Sequence, residues 1–198
     1  MKTLLITLGL LLLNSSFCSA IAPINDDIIK EAQSYGKINS VSTFTDFISP
    51  WTSYEENAQK LDDSTEYANI YTPFLLVAAD AREKSLNGQT ISLVDSQKAL
   101  QPYLGYLTFR VVLFGSTPHF SESIKCVLKT NQNTIDFYQS SPAEVTKTPW
   151  YPNQPLYMSK QYFYFLDNQM DLDAPSTLIV NTADKREHKF YFNLPDIS

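Results

Sequence analysis

The run Tyr106-Leu107-Thr108-Phe109-Arg110-Val111-Val112-Leu113-Phe114, closed at its two ends by Gly105 and Gly115, limits what this chain can become more than any other stretch. Leu107, Phe109, Val111 and Leu113 alternate onto one face, and Thr108, Arg110, Val112 and Phe114 onto the other. A period of two over this length, with turn residues at both ends, predicts a central β-strand. Its first face belongs in a core. Arg110 marks the second face as one whose polar end reaches water.

Shorter runs of the same period follow. Ile124, Cys126, Leu128 and Thr130 share one face, and a polar link at residues 131–133 leads to Ile135, Phe137 and Gln139, which predicts a hairpin. Residues 162–166 form an aromatic strand, and residues 178–180 and 188–194 form the last two, joined by the charged turn Ala183-Asp184-Lys185-Arg186. Residues 140–157 hold Pro142, Pro149, Pro152 and Pro155 and must be loop or sheet edge, because proline cannot donate to a ladder. The apolar run Phe74-Leu75-Leu76-Val77-Ala78-Ala79 reads as the first buried strand. Strands at this spacing predict a mainly β chain folded as an immunoglobulin-like antiparallel β-sandwich over residues 73–198.

Helical signals come earlier and predict that residues 21–72 form a helical part packed on the sandwich. Asn25-Asp26-Asp27 caps an amphipathic turn sequence carrying Ile28, Ile29, Ala32 and Tyr35, with Gly36 as its stop. Residues 37–50 lean to helix through Val41, Phe44, Phe47 and Ile48. Thr52-x-x-Glu55 is a capping box, so a helix is expected from there to about Ile70, with Glu55, Glu56, Asp62 and Asp63 on its wet side. After Pro73, a short helix capped by Asp95 or Ser96 is expected before Pro102.

Residues 1–20 combine Lys2, an apolar core from Leu4 to Leu13 and small residues at the end, the layout of a secretory signal peptide cleaved after Ala20. The apolar core is too short to span a bilayer, and no later stretch approaches the ~20 apolar residues of a membrane helix. An alternative is lipid attachment at Cys18, which Ser15 and the bulky Phe17 upstream disfavour. Removing the leader takes away one base and no acid, so a net charge of −6 becomes −7. An acidic chain with scattered bases disfavours nucleic acid and anionic lipid as partners. Cys126 is then left as a lone cysteine, and its alternation with Ile124 and Leu128 places it in the core.

Catalytic signals are thin. His119 reads as a loop residue and His188 as a strand-end residue, and no phosphate-cradling glycine loop or nucleophile elbow is present. Asp167, Asp171 and Asp173 share one inter-strand loop and offer hard oxygen ligands to calcium, though the spacing fits no EF-hand. Trp150, Tyr151 and Tyr157 gather around a proline-stiffened loop, where flat rings can stack on sugar faces or proline rings. Two functions follow from these residues. One is an exported, non-catalytic module of the cell envelope or of secreted material, binding a protein, peptide or glycan and needing no cofactor. The alternative is a carboxylate-based hydrolase built on acids such as Glu55 and Asp62, with calcium assistance.

Overall fold

A computed structural model describes residues 25–130 and 133–197. The expected leader at residues 1–20 and the lipidation alternative at Cys18 lie outside the described residues. Among the described residues no helix is long and apolar enough to cross a membrane.

Two antiparallel sheets and a group of helices share one continuous core. The first helix, α1 (Asp26–Ile38), starts as its sequence predicts, with the Asn25 side chain accepting hydrogen bonds from the Asp27 and Ile28 amides, both at 3.0 Å. It does not stop at Gly36. That glycine is buried inside the helix, where an added Cβ would lie 2.1 Å from the Ala78 carbonyl oxygen. Gly36 is therefore a contact residue that lets α1 cross α3 (Pro73–Leu86) backbone to backbone. The short helix α2 (Phe44–Ile48) is capped by Thr43, and α4 (Leu93–Leu100) is capped by Ser92, whose Oγ accepts from the Asp95 amide at 3.1 Å. The cap lies upstream of the expected Asp95 or Ser96.

Two expected elements exchange type. Residues 74–79 are helical within α3, not a strand. Thr72 accepts from the Leu75 amide at 3.1 Å and Pro73 occupies the first turn, the cap and N1 pair of a helix start. Residues 52–70 are not a helix. They form β1 (Thr52–Tyr54), a loop, and β2 (Tyr67–Tyr71). The Thr52 hydroxyl donates to the Ile48 carbonyl and accepts from Asn69 Nδ2 at 2.8 Å, so it never serves the Glu55 amide. Ala68 and Ile70 alternate with Tyr67, Asn69 and Tyr71, and this short period-two pattern pairs β2 with the central strand.

That central strand, β3 (Tyr106–Gly115), is flanked by β2 on one side and by β8 (Tyr157–Leu166) on the other, in register from Tyr106↔Leu166 to Gly115↔Tyr157. The far side of β8 carries two short edge pieces, β6 (Gln139–Ser140) and β7 (Glu144–Lys147), so the proline-rich stretch does border the sheet. The second sheet runs β10 (Glu187–Asn193), β9 (Pro175–Asn181), β4 (Lys125–Lys129), β5 (Thr134–Asp136). The expected β4–β5 hairpin forms, with Leu128 opposite Ile135.

The inner faces meet through aromatic rings. Phe109 lies edge-on to Phe165 at 5.6 Å and to Phe192 of the opposite sheet at 5.2 Å. Ile29, Ala32, Phe47, Trp51, Leu75 and Ala78 of the helical group belong to the same buried cluster. The outer face of β3 is more covered than its sequence implies: Thr108, Val112 and Phe114 are buried, and Tyr106 and Arg110 are half-exposed. Val112 sits between Tyr67 and Lys160 in register, and Trp150 packs 6.0 Å from Phe114, so long neighbouring side chains close over this face.

Cys126 is buried as predicted, and burial pushes its thiol well above the ordinary value. It shares a row of the second sheet with Val180 and His188, the valine standing between the two. Two strand spacings, about 9.5 Å, keep thiol and imidazole from acting as a nucleophilic pair. In the native protein this thiol is expected to resist a bulky thiol reagent, reacting only after denaturation. Cys126→Ser should cost about 1–3 kcal/mol, read from denaturant melts, because the hydroxyl meets an apolar surround.

Candidate functional site

The loop at residues 55–66 leaves β1 and returns as β2, and it is built to hold a shape. The Glu55 amide bonds the Glu66 carbonyl at 3.0 Å across its base, and the Glu56 amide bonds the Lys189 carbonyl of β10 at 3.0 Å. Inside the loop Thr65 is nearly buried; its hydroxyl donates to the Lys60 carbonyl and accepts from the Asp62 amide, both at 2.8 Å. Asp62 in turn takes the Ser64 amide at 2.9 Å and pairs with Lys60. Lys60 and Ser64 together pull the Asp62 carboxyl down to about 2. Glu55 and Asp62, expected on the wet side of a helix, instead line a wall.

The opposite wall is the proline-rich segment. The Thr148 hydroxyl donates to the Pro155 carbonyl at 2.6 Å, the Asn153 amide to the Trp150 carbonyl at 2.8 Å, and Gln154 meets Ser116 at 3.2 Å. Between the walls lies an open cleft of about 530 Å³, floored by the end of β3 at Phe114, Gly115 and Ser116 and closed on a third side by Asp184 and Arg186 of the β9–β10 turn. A smaller extension of about 320 Å³ runs along Lys60, Asp62 and Ser64 to Trp150.

Beneath the cleft sits a charge network that joins the two sheets. Glu66 has a side chain 15% exposed, and it accepts from the Phe114 amide at 3.0 Å and Arg186 Nη1 at 3.1 Å while its other oxygen lies 2.7 Å from His188 Nδ1. Arg186 also donates to the Phe114 carbonyl at 2.6 Å and to Asp184 at 2.8 Å. Burial pushes the Glu66 carboxyl up, but His188, the Phe114 amide and Arg186 outweigh it, so the group titrates below its ordinary 4.5. Asp184 behaves alike: burial raises it, and the Thr182 hydroxyl and Arg186 bring it below its ordinary value.

No family model matches this chain, and no curated protein does either. What the cleft can do is therefore read from its own residues. Of the four acids that line it, Asp62, Glu66 and Asp184 are held below their ordinary values and so stay ionised, which suits them to hydrogen-bond acceptance.

The three aromatic residues singled out in the sequence are divided. Trp150 packs on Phe114 and lines the cleft extension. Tyr151 and Tyr157 pair edge to face at 6.3 Å outside it, with Lys147 Nζ 4.0 Å above the Tyr151 ring. Tyr151 is 43% exposed. The expected calcium ligands are not brought together: Asp171 accepts its own loop's Asp173 amide at 3.1 Å, Asp167 opens a 3₁₀ turn, and no three acidic, His or Cys side chains among the described residues group to hold a metal ion. His119 is an exposed loop residue, paired with Glu122 at 2.6 Å.

Arg186 and His188, a turn residue and a strand-end residue by sequence, join Glu66 in a network that no local pattern predicts. His188 did carry a signal, since it shares the period-two face of Phe190 and Phe192 and so had to point inward; it is 3% exposed. Glu66 carried none, because its role depends on a partner far along the chain.

Proposed function

We propose that this chain is an exported, non-catalytic binding module of the cell envelope or of secreted material, and that its cleft holds a glycan. The observation that carries this reading is Trp150, an aromatic face beside Lys60, Asp62 and Gln154 in an open, rigid-walled cleft. Sugar rings stack on such faces, while ionised acids, an amide and a cation accept and donate to the ring hydroxyls. The acidic net charge speaks against nucleic acid as the partner. Export rests on the leader at residues 1–20, with cleavage after Ala20 preferred over lipidation of Cys18.

For the scaffold we infer an immunoglobulin-like sandwich with a helical N-terminal part. Strand order supports it. One sheet, β2-β3-β8-β7, follows the A-B-E-D sequence, and the other, β10-β9-β4-β5, follows G-F-C-C′. In such frames binding sites sit on the loops at one end, as this cleft does. The alternative, a carboxylate hydrolase assisted by calcium at Asp167, Asp171 and Asp173, has weaker support, because a general acid needs a carboxyl that keeps its proton near neutral pH.

Titration of the folded protein with envelope oligosaccharides, followed by tryptophan fluorescence, tests the proposal. Trp150→Ala is expected to weaken binding by about 30-fold, the size of a buried aromatic anchor. Since Trp150 also packs on Phe114, Gln154→Ala on an exposed side chain provides a second reading that leaves the core alone. Absence of binding across a broad glycan panel, or unchanged affinity in both variants, would refute it.

A further inference from the structure

Arg110 is the one charged side chain of β3's outer face and is half-exposed, and among the described residues it has no acidic partner within ion-pair distance. Its guanidinium reaches Asn69 Oδ1 at 3.3 Å and also the Tyr71 hydroxyl, both neutral groups, so its charge is left without a counterion. Asn69 is fully buried and held by the Thr52 hydroxyl, so the oxygen that positions Arg110 is itself fixed.

The guanidinium lies on the wall of a cavity of about 370 Å³, within the size range of small-ligand sites. Apolar residues make up much of the rest. Ile48 is a buried part of the lining, and Phe44, Tyr54 and Leu61 are large apolar side chains left 46%, 37% and 67% exposed around it. Exposed apolar groups converging on one concavity ask for a ligand with an apolar body. A half-buried cation without a carboxylate asks for an anion. Asp62, which also borders the cavity, is already committed to Lys60 and Ser64. Asp63 adds a negative charge at the border shared with the Trp150 extension, which disfavours a second anionic group on the ligand.

We propose that this cavity is a second binding site, distinct from the Trp150 cleft, that takes a monocarboxylate with an apolar body, its carboxylate on Arg110 and its body against Phe44, Ile48 and Leu61. A free organic acid and the C-terminal carboxylate of a peptide ending in an apolar residue share this chemistry.

Calorimetric titration of the full mature chain with N-acetyl-leucine, with a short acetylated peptide ending in leucine, and with the C-terminal amide of each tests it. Both acids are expected to bind, and each amide about 10- to 100-fold more weakly, the size of a charge-assisted hydrogen bond. A peptide that binds tighter than the single residue identifies the chain end as the source; equal affinities identify the small acid. Arg110→Gln should abolish the preference for acid over amide, and Leu61→Asp, at an exposed rim position, should weaken both acids in a protein with wild-type melting. Amides that bind as well as acids, a folded Arg110→Gln that keeps the preference, binding of inorganic phosphate as tight as that of the acids, or no binding of either acid at millimolar concentration would each overturn the proposal.

Discussion

Glu66→Ala is expected to lower the stability of this protein by about 3–5 kcal/mol, a large share of a domain's usual margin. The substitution strips the Phe114 amide, Arg186 and the nearly buried His188 of their shared acceptor at once. Removing one member of a buried charged group costs far more than the group contributed, because what remains is desolvated and unpaired. Equilibrium unfolding in denaturant measures the loss, and a value under about 1 kcal/mol would mean that the network is merely tolerated. A cycle with His188→Phe adds a sharper reading: in the Glu66→Ala background this second change should cost less than in the wild type, since the imidazole has already lost its partner. The pH dependence has a definite sign. Glu66 has its folded pKa below its ordinary 4.5, so its contribution is complete above the unfolded value and drains away as pH falls through the lower folded value. Glu66→Ala should therefore flatten the acid limb of the stability curve.

Phe109→Ala should cost a similar amount, roughly 3–5 kcal/mol, by a different route. The ring is fully buried and touches both Phe165 of its own sheet and Phe192 of the other. Truncation removes its transfer free energy and leaves a void between two sheets whose hydrogen-bonded ladders prevent collapse. Arg110→Ala, one residue along and on the opposite face, is expected to cost about 1 kcal/mol or less, because the guanidinium is part-solvated and its contact with Asn69 is long. Paired denaturant melts of the two variants report on the alternation along β3. Equal losses would contradict the assignment of inner and outer faces.

The strands most legible in the sequence were those with a strict period of two and glycine or polar turns at their ends. β3, β4 and β10 declared themselves in this way. Misreadings arose where a local signal competed with a distant partner. Thr52 and Glu55 have the spacing of a capping box, but Asn69 takes the Thr52 hydroxyl, and pairing of Tyr67–Tyr71 with β3 makes a strand where isolated turns would favour a helix. The run at residues 74–79 is apolar on every side because α3 packs against α1 and α4 and borders the shared core, so its period could not separate strand from helix; only Thr72-Pro73 in front of it carried the distinction. The candidate site was half legible. Trp150 stands out by its proline-rich setting, whereas residues 55–66, which face it, carry the local pattern of a helix and give no sign of a wall. The Glu66 network was illegible for a plainer reason: its members come from residues 66, 114 and 186–188, and nothing local announces that they meet.

The tie between the Glu56 amide and the Lys189 carbonyl has a consequence for how this chain behaves among its own copies. An open sheet margin is a template on which another molecule can add a strand. Most margins here are stubs: β1 and β5 have three residues, β6 has two and β7 four. The long margin is β10, with seven residues. It is the one that the 55–66 loop overlies, spending a main-chain acceptor on Glu56 and flanking it with the Glu56–Lys189 ion pair and the Tyr191 hydroxyl bonded to Glu56. The loop that walls the cleft thus also occupies part of this long margin, so that shortening it to reshape ligand preference is expected to open β10 to strand addition by another copy.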